Sequence, residues 1–129
     1  MTTIGRYMTP VKHWLGPKDT LVKAKEMMQL YAVRHLPVLD GERIAGIVTL
    51  SDLFVMEAVI AVDPDKTLVE EAMSKDLYLV EPSEPLANVA REMARRQVGS
   101  AIVVEDGRLA GIFTSTDACR VLGEILSAR

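Results

Sequence analysis

Cysteine is almost absent from this 129-residue chain: Cys119 stands alone, so no internal disulfide can form. There is no CxxC pair and no Cys/His cluster with zinc-ligand spacing, so no metal site is expected and a reducing cytosol is the default compartment. Aromatic residues are scarce at 5%. Neither sign of charge dominates, since 15 Lys and Arg face 18 Asp and Glu for a net −3, which argues against a protein that holds nucleic acid through its phosphates. Uncharged stretches stop at about eight residues, far short of the ~20 that a membrane helix needs. The opening MTTIGRYMTP has no apolar stretch behind a positive charge, so no secretory signal is expected. HExxH, GxSxG, GxxxxGK[ST] and GxGxxG are all missing, and no enzyme is expected. With 49% apolar and 26% charged residues, the composition is that of a folded domain.

What the chain does have is a gapless internal repeat. Shifted by 65 residues against itself, it gives 14 identities in 64 pairs, among them Met8/Met73, Met28/Met93, Val38/Val103 and Asp52/Asp117. They crowd where Arg43–Thr49 (RIAGIVT) meets Arg108–Thr114 (RLAGIFT). Residues 1–64 and 65–129 therefore read as two repeats, joined by the polar linker Asp63-Pro64-Asp65-Lys66. A ~60-residue unit buries too little of its surface to be comfortably stable alone, so the halves are expected to depend on one another.

Both repeats carry the same element order. Leu21, Ala24, Met28 and Tyr31 recur at helical spacing, predicting a helix over 20–31 with Asp19 or Thr20 as its cap. Strands are expected at 36–39 and 44–50, separated by the Asp40-Gly41 turn, and a second helix at 52–62. The copy repeats this as a helix at 85–96 that Ser83 can cap, strands at 101–104 and 109–113, and a helix at 117–126. Short helices around 4–8 and 68–73 and short strands at 13–15 and 78–80 complete the units. Arg95-Arg96 reads as a solvated helix end and Cys119 as a buried position.

The strongest local pattern is Gly-Ile-[Val/Phe]-Thr-x-[Ser/Thr]-Asp, at 46–52 and 111–117. It falls where a strand passes into a helix, whose first N–H groups are unpaired and whose dipole favours negative charge. An Asp there can accept two hydrogen bonds from the vicinal hydroxyls of a ribose, and the Thr hydroxyl can reach the ribose or a phosphate. Thr-x-x-Asp is equally a capping-box spacing, and duplication copies caps as readily as sites. Spacing alone leaves both readings open.

As an ordered set, Tyr7-Met8-Thr9, Ala72-Met73-Ser74, Leu36-Pro37-Val38-Leu39-Asp40 and the two GIxTxxD segments resemble a tandem pair of cystathionine-beta-synthase (CBS) domains, the Bateman module. The resemblance implies an α+β fold of two pseudo-symmetric β-α-β-β-α repeats packed through their sheets. It implies a stand-alone regulatory module that binds AMP, ADP, ATP or a related adenosyl ligand, with S-adenosylmethionine or NAD as further candidates, in clefts between the repeats. No cofactor is required. Asp52 and Asp117 would hold ribose hydroxyls, assisted by Thr49 and Thr114, with Ile47 and Ile112 lining purine pockets. The resemblance implicates His13 and the Val33–His35 backbone for the Asp117 cleft, and Tyr78 and the Val98–Ser100 backbone for the Asp52 cleft. Arg34-His35 replaces the Gly99-Ser100 of the second repeat, and a guanidinium can engage a phosphate bidentately. The Asp52 cleft is therefore expected to prefer a phosphorylated adenosine, and the Asp117 cleft to bind weakly or take a less charged ligand. The module would homodimerise through the helices after Asp52 and Asp117 and signal to a regulated protein. A different class of function, a structural dimerisation adaptor with empty clefts, stays open beside it.

Overall fold

The computed structural model describes residues 2–128. Its chain packs as two compact units, residues 12–77 and residues 1–11 with 78–129. These packing units are drawn differently from the sequence repeats.

In the contiguous unit, α1 (Leu21–Tyr31) begins at Thr20, whose hydroxyl accepts the Lys23 N–H at 3.2 Å. It ends at Ala32 in the left-handed region. Leu21, Ala24 and Met28 are buried as the spacing predicts, while Tyr31 stays partly exposed. Strands β2 (His35–Asp40) and β3 (Arg43–Thr49) form an antiparallel hairpin, with a register shift between Val38 and Leu39. Its turn is at 41–42, where Gly41 takes φ +65°. The expected strand at 13–15 reduces to one bridge, Leu15 to Val38. Helix α2 (Leu50–Phe54) runs on as a π-helix over Val55–Val59, so its hydrogen bonds lengthen to i→i+5 where an ordinary helix was expected. Leu15, Leu36, Val38, Val48, Leu53 and Val69 form the core.

The other unit repeats the plan. Helix α3 (Leu86–Arg96) follows Pro85, which makes no side-chain cap, so Ser83 does not cap it. Strands β5 (Ser100–Glu105) and β6 (Arg108–Thr114) pair antiparallel about an Asp106-Gly107 turn with both residues at positive φ, the geometry that two-residue hairpins favour. Helix α4 (Ser115–Ser127) continues without a π segment. Cys119 lies on its exposed side, contrary to the buried position expected. The sheet is completed by β4 (Leu79–Val80), parallel to β5, and by β1 (Thr9–Pro10), antiparallel to β6.

Strand β1 comes from the start of the first repeat but pairs with the second. Its 65-residue counterpart, Ser74, bonds to Ile47 in both directions at 2.8 and 3.0 Å. Likewise Ile4 is buried with Val89, Val103 and Phe113, whereas its counterpart Val69 is buried with Leu21 and Leu53. Each repeat thus lends its leading segment to the other's core. Two glycines make the docking close. A Cβ at Gly46 would stand 2.7 Å from the Ser74 carbonyl and from Met73 Sδ, and one at Gly111 would stand 2.6 Å from Met8 Sδ.

Candidate functional site

Both strand-to-helix junctions adopt the same local structure. At the first, the Asp52 N–H donates to Thr49 Oγ1 at 3.1 Å and the Thr49 N–H donates to Asp52 Oδ2 at 2.8 Å. At the second, the Asp117 N–H donates to Thr114 Oγ1 at 3.2 Å and the Thr114 N–H donates to Asp117 Oδ2 at 2.9 Å. These are reciprocal capping boxes, in which each side chain satisfies a backbone donor that the helix start leaves unpaired.

The hairpins bring further candidates to each junction. His35 pairs with Thr49 across β2 and β3, and the Arg34 carbonyl accepts the Leu50 N–H at 2.9 Å. Ser100 pairs with Thr114, and the Gly99 carbonyl accepts the Ser115 N–H at 2.9 Å. An exposed guanidinium therefore belongs to the residue beside the Asp52 junction, and no side chain stands at its counterpart. Ile47 is buried and Ile112 half-buried, while Val33 and Val98 are half-buried against their own unit's core.

His13 and Tyr78, at equivalent positions, each have a ring face covered by the last residue of the following helix. The His13 and Tyr31 rings stack at 3.5 Å and 6°, and the Arg96 guanidinium lies 4.5 Å above the Tyr78 ring. Arg96 also pairs with Glu92 at 3.1 Å, so this helix end is engaged as well as solvated. Burial, joined by the negative charges of Glu92 and Glu84, pushes the Tyr78 phenol up, and Arg96 opposes this.

The junctions differ in two respects that spacing had not singled out. Arg120 Nη1 donates to Asp117 Oδ1 at 3.0 Å, and Thr114 Oγ1 also donates to Asp117 Oδ2 at 3.1 Å. Position 55, the counterpart of Arg120, is Val. An Asp and an Arg three apart on a helix is the available sequence signal. Among the described residues no group of three His, Cys, Asp or Glu converges, and no helix is long and apolar enough to cross a membrane.

The family profile of the CBS domain matches residues 4–58 and 69–124, one match in each repeat. The chain belongs to the CBS-domain family. A Vibrio cholerae CBS relative assigned to acetoin utilization (AcuB) has a crystal structure similar to this chain, with TM-score 0.83 and 30% identity over 98% of this chain and 94% of its own. The crystal structure of CBSX2 in complex with AMP is similar at TM-score 0.81 and 26% identity, over 97% of this chain and 99% of its own. In sequence, hypoxic response protein 1 of Mycobacterium tuberculosis is 27% identical over 125 residues, spanning 96% of this chain and 87% of that protein.

Proposed function

We propose that this CBS pair is a regulatory module that binds an adenosine nucleotide at its strand-to-helix junctions and passes the binding event to a partner protein. The carrying observation is the duplicated Thr–Asp junction, which holds a carboxylate at a helix start in the same pose in both repeats. A helix start suits an anionic or hydroxyl-rich ligand. The AMP complex of CBSX2 supports an adenine nucleotide as that ligand. Asp52 and Asp117 take the ribose hydroxyls, Thr49 and Thr114 assist, and Ile47 and Ile112 meet the purine. Arg34 gives the Asp52 junction a preference for phosphorylated ligands. AMP, ADP and ATP are the leading candidates, ahead of S-adenosylmethionine and NAD. The chain acts without catalysis, in the cytoplasm.

The exposed apolar side chains of α2 and its π extension (Phe54, Val55, Val59), of Ile60 just beyond it, and of α4 (Leu122, Ile125, Leu126) favour a homodimer through these helices.

The second reading, an interaction adaptor without ligand, is favoured by the capping boxes themselves, since each carboxylate already serves its own main chain. Thermal unfolding with and without AMP separates the two. A ligand at a hundredfold excess over its dissociation constant stabilises by about 2.7 kcal/mol, and Asp52→Asn with Asp117→Asn should abolish that increment. A cap contributes roughly 0.5–2 kcal/mol whether or not ligand is present. An AMP-induced shift that survives both substitutions refutes the ribose role. No shift with any adenosine compound leaves the adaptor.

A further inference from the structure

The two carboxylates do not offer the same accepting capacity. An ionised carboxylate has about four lone-pair positions on its two oxygens. At Asp52 the capping box takes one, through the Thr49 N–H on Oδ2. Among the described residues nothing donates to Oδ1. At Asp117 three are taken. The Thr114 N–H and the Thr114 hydroxyl both donate to Oδ2, and the Arg120 guanidinium donates to Oδ1. A ribose diol needs two acceptor positions at once. Asp52 has them, and Asp117 does not while Arg120 stays.

We propose that Arg120 is a specificity-determining residue that closes the Thr114–Asp117 junction to uncharged ribosyl ligands and leaves Thr49–Asp52 as the junction that accepts them. The inference rests on the reading that these junctions hold ribose. The exchange is unfavourable because a charge-assisted hydrogen bond is roughly twice as strong as a neutral one. A neutral diol would have to displace a guanidinium from a carboxylate side chain that is only 10% exposed, where the pair is less screened than at an open surface. The first repeat has Val55 at the equivalent position, so no guanidinium from that position competes with the ligand. Of the two expectations for the Asp117 junction, weak binding follows from this arrangement and a preference for less charged ligands does not.

Adenosine is the suitable probe, since it carries the diol without a phosphate that could itself attract Arg120. Calorimetric titration of the wild type should give one equivalent of adenosine, and Asp52→Asn should abolish it. Adding Arg120→Val in the Asp52→Asn background, which copies the first repeat's residue, should restore one equivalent. Its binding should be roughly tenfold or more tighter than Asp52→Asn alone, the factor for freeing one charged hydrogen-bond acceptor. Arg120→Lys in the same background retains a cation beside Asp117 and should stay closed. The Arg120 side chain is 53% exposed, so each Arg120 variant should unfold cooperatively near the midpoint of its Asp52→Asn parent.

Two equivalents of adenosine in the wild type overturn the inference. So does a double variant that stays closed while the wild type binds through Asp52. Absence of adenosine binding in the wild type and in Arg120→Val refutes the ribose reading itself, and the inference with it.

Discussion

Replacing Gly46 by Ala tests the docking of the leading segments without reference to any ligand. The new Cβ would lie 2.7 Å from the Ser74 carbonyl oxygen, 2.7 Å from Met73 Sδ and 2.9 Å from Met73 Cγ. A carbon ordinarily approaches a carbonyl oxygen no closer than roughly 3.3 Å, so the shortfall is roughly 0.6 Å. Met73 can rotate away, but the carbonyl is backbone. It accepts the Ile47 N–H at 3.0 Å while Ser74 donates to the Ile47 carbonyl at 2.8 Å. Relieving the clash stretches both bonds. Overpacking costs roughly 1–3 kcal/mol and each weakened hydrogen bond up to about 1 kcal/mol, so the expected loss is about 2–4 kcal/mol. For a chain of this size that lowers Tm by roughly 8–15 °C. Urea unfolding gives the free energy, and amide exchange at Ile47 and Ser74 should accelerate. Gly123→Ala is the matched control, because an added Cβ in α4 meets nothing within 4 Å. It should stabilise by up to about 1 kcal/mol through helix propensity. A Gly46→Ala loss below about 0.5 kcal/mol, the range of an ordinary surface change, would refute the reasoning.

Two further outcomes follow from the surface. Glu92 accepts from Arg95 at 2.6 and 2.7 Å and from Arg96 at 3.1 Å, and the Arg95 hydrogen bond, with that of Arg96 adding to it against partial desolvation, holds its carboxyl down at about 2. Its contribution is therefore present above the ordinary value of 4.5 and lost as pH falls towards about 2; Glu92→Gln should flatten the stability profile across that window, and an unchanged acid limb would contradict the pairing. Phe54→Glu with Ile125→Glu charges two exposed apolar helix positions; sedimentation should show a shift from dimer to monomer with the unfolding midpoint of the monomer retained, and an unchanged mass would exclude these helices as the interface.

Where local chemistry decided the structure, the sequence was readable. Thr20, Thr49 and Thr114 cap the helices that their positions suggest, and Leu21, Ala24 and Met28 turn inward as their spacing requires. The repeat of RIAGIVT and RLAGIFT located both hairpins to within a residue or two. Long-range choices were hidden for a specific reason. Met8 fits over Gly111 and Met73 over Gly46, but both partners of this contact are duplicated, so nothing in the pattern says which methionine takes which glycine. The π segment was equally silent, because Val-Met-Glu-Ala-Val carries no Gly or Pro to mark a change of hydrogen bonding. At the candidate site, the Thr–Asp pairs were legible from their duplication, whereas Arg120 has no repeat partner, its counterpart being Val55.

The docking of Ile4 and Thr9 beside β6 also orders events during synthesis. A growing chain holds all of residues 12–77 while Phe113 has still to be made. During that interval the leading segment has no β6 to join and must wait, its apolar Ile4 and Met8 uncovered. This segment, made before residues 12–77, is thus secured only once β6 exists, and translation halted before residue 108 leaves it with no strand to pair.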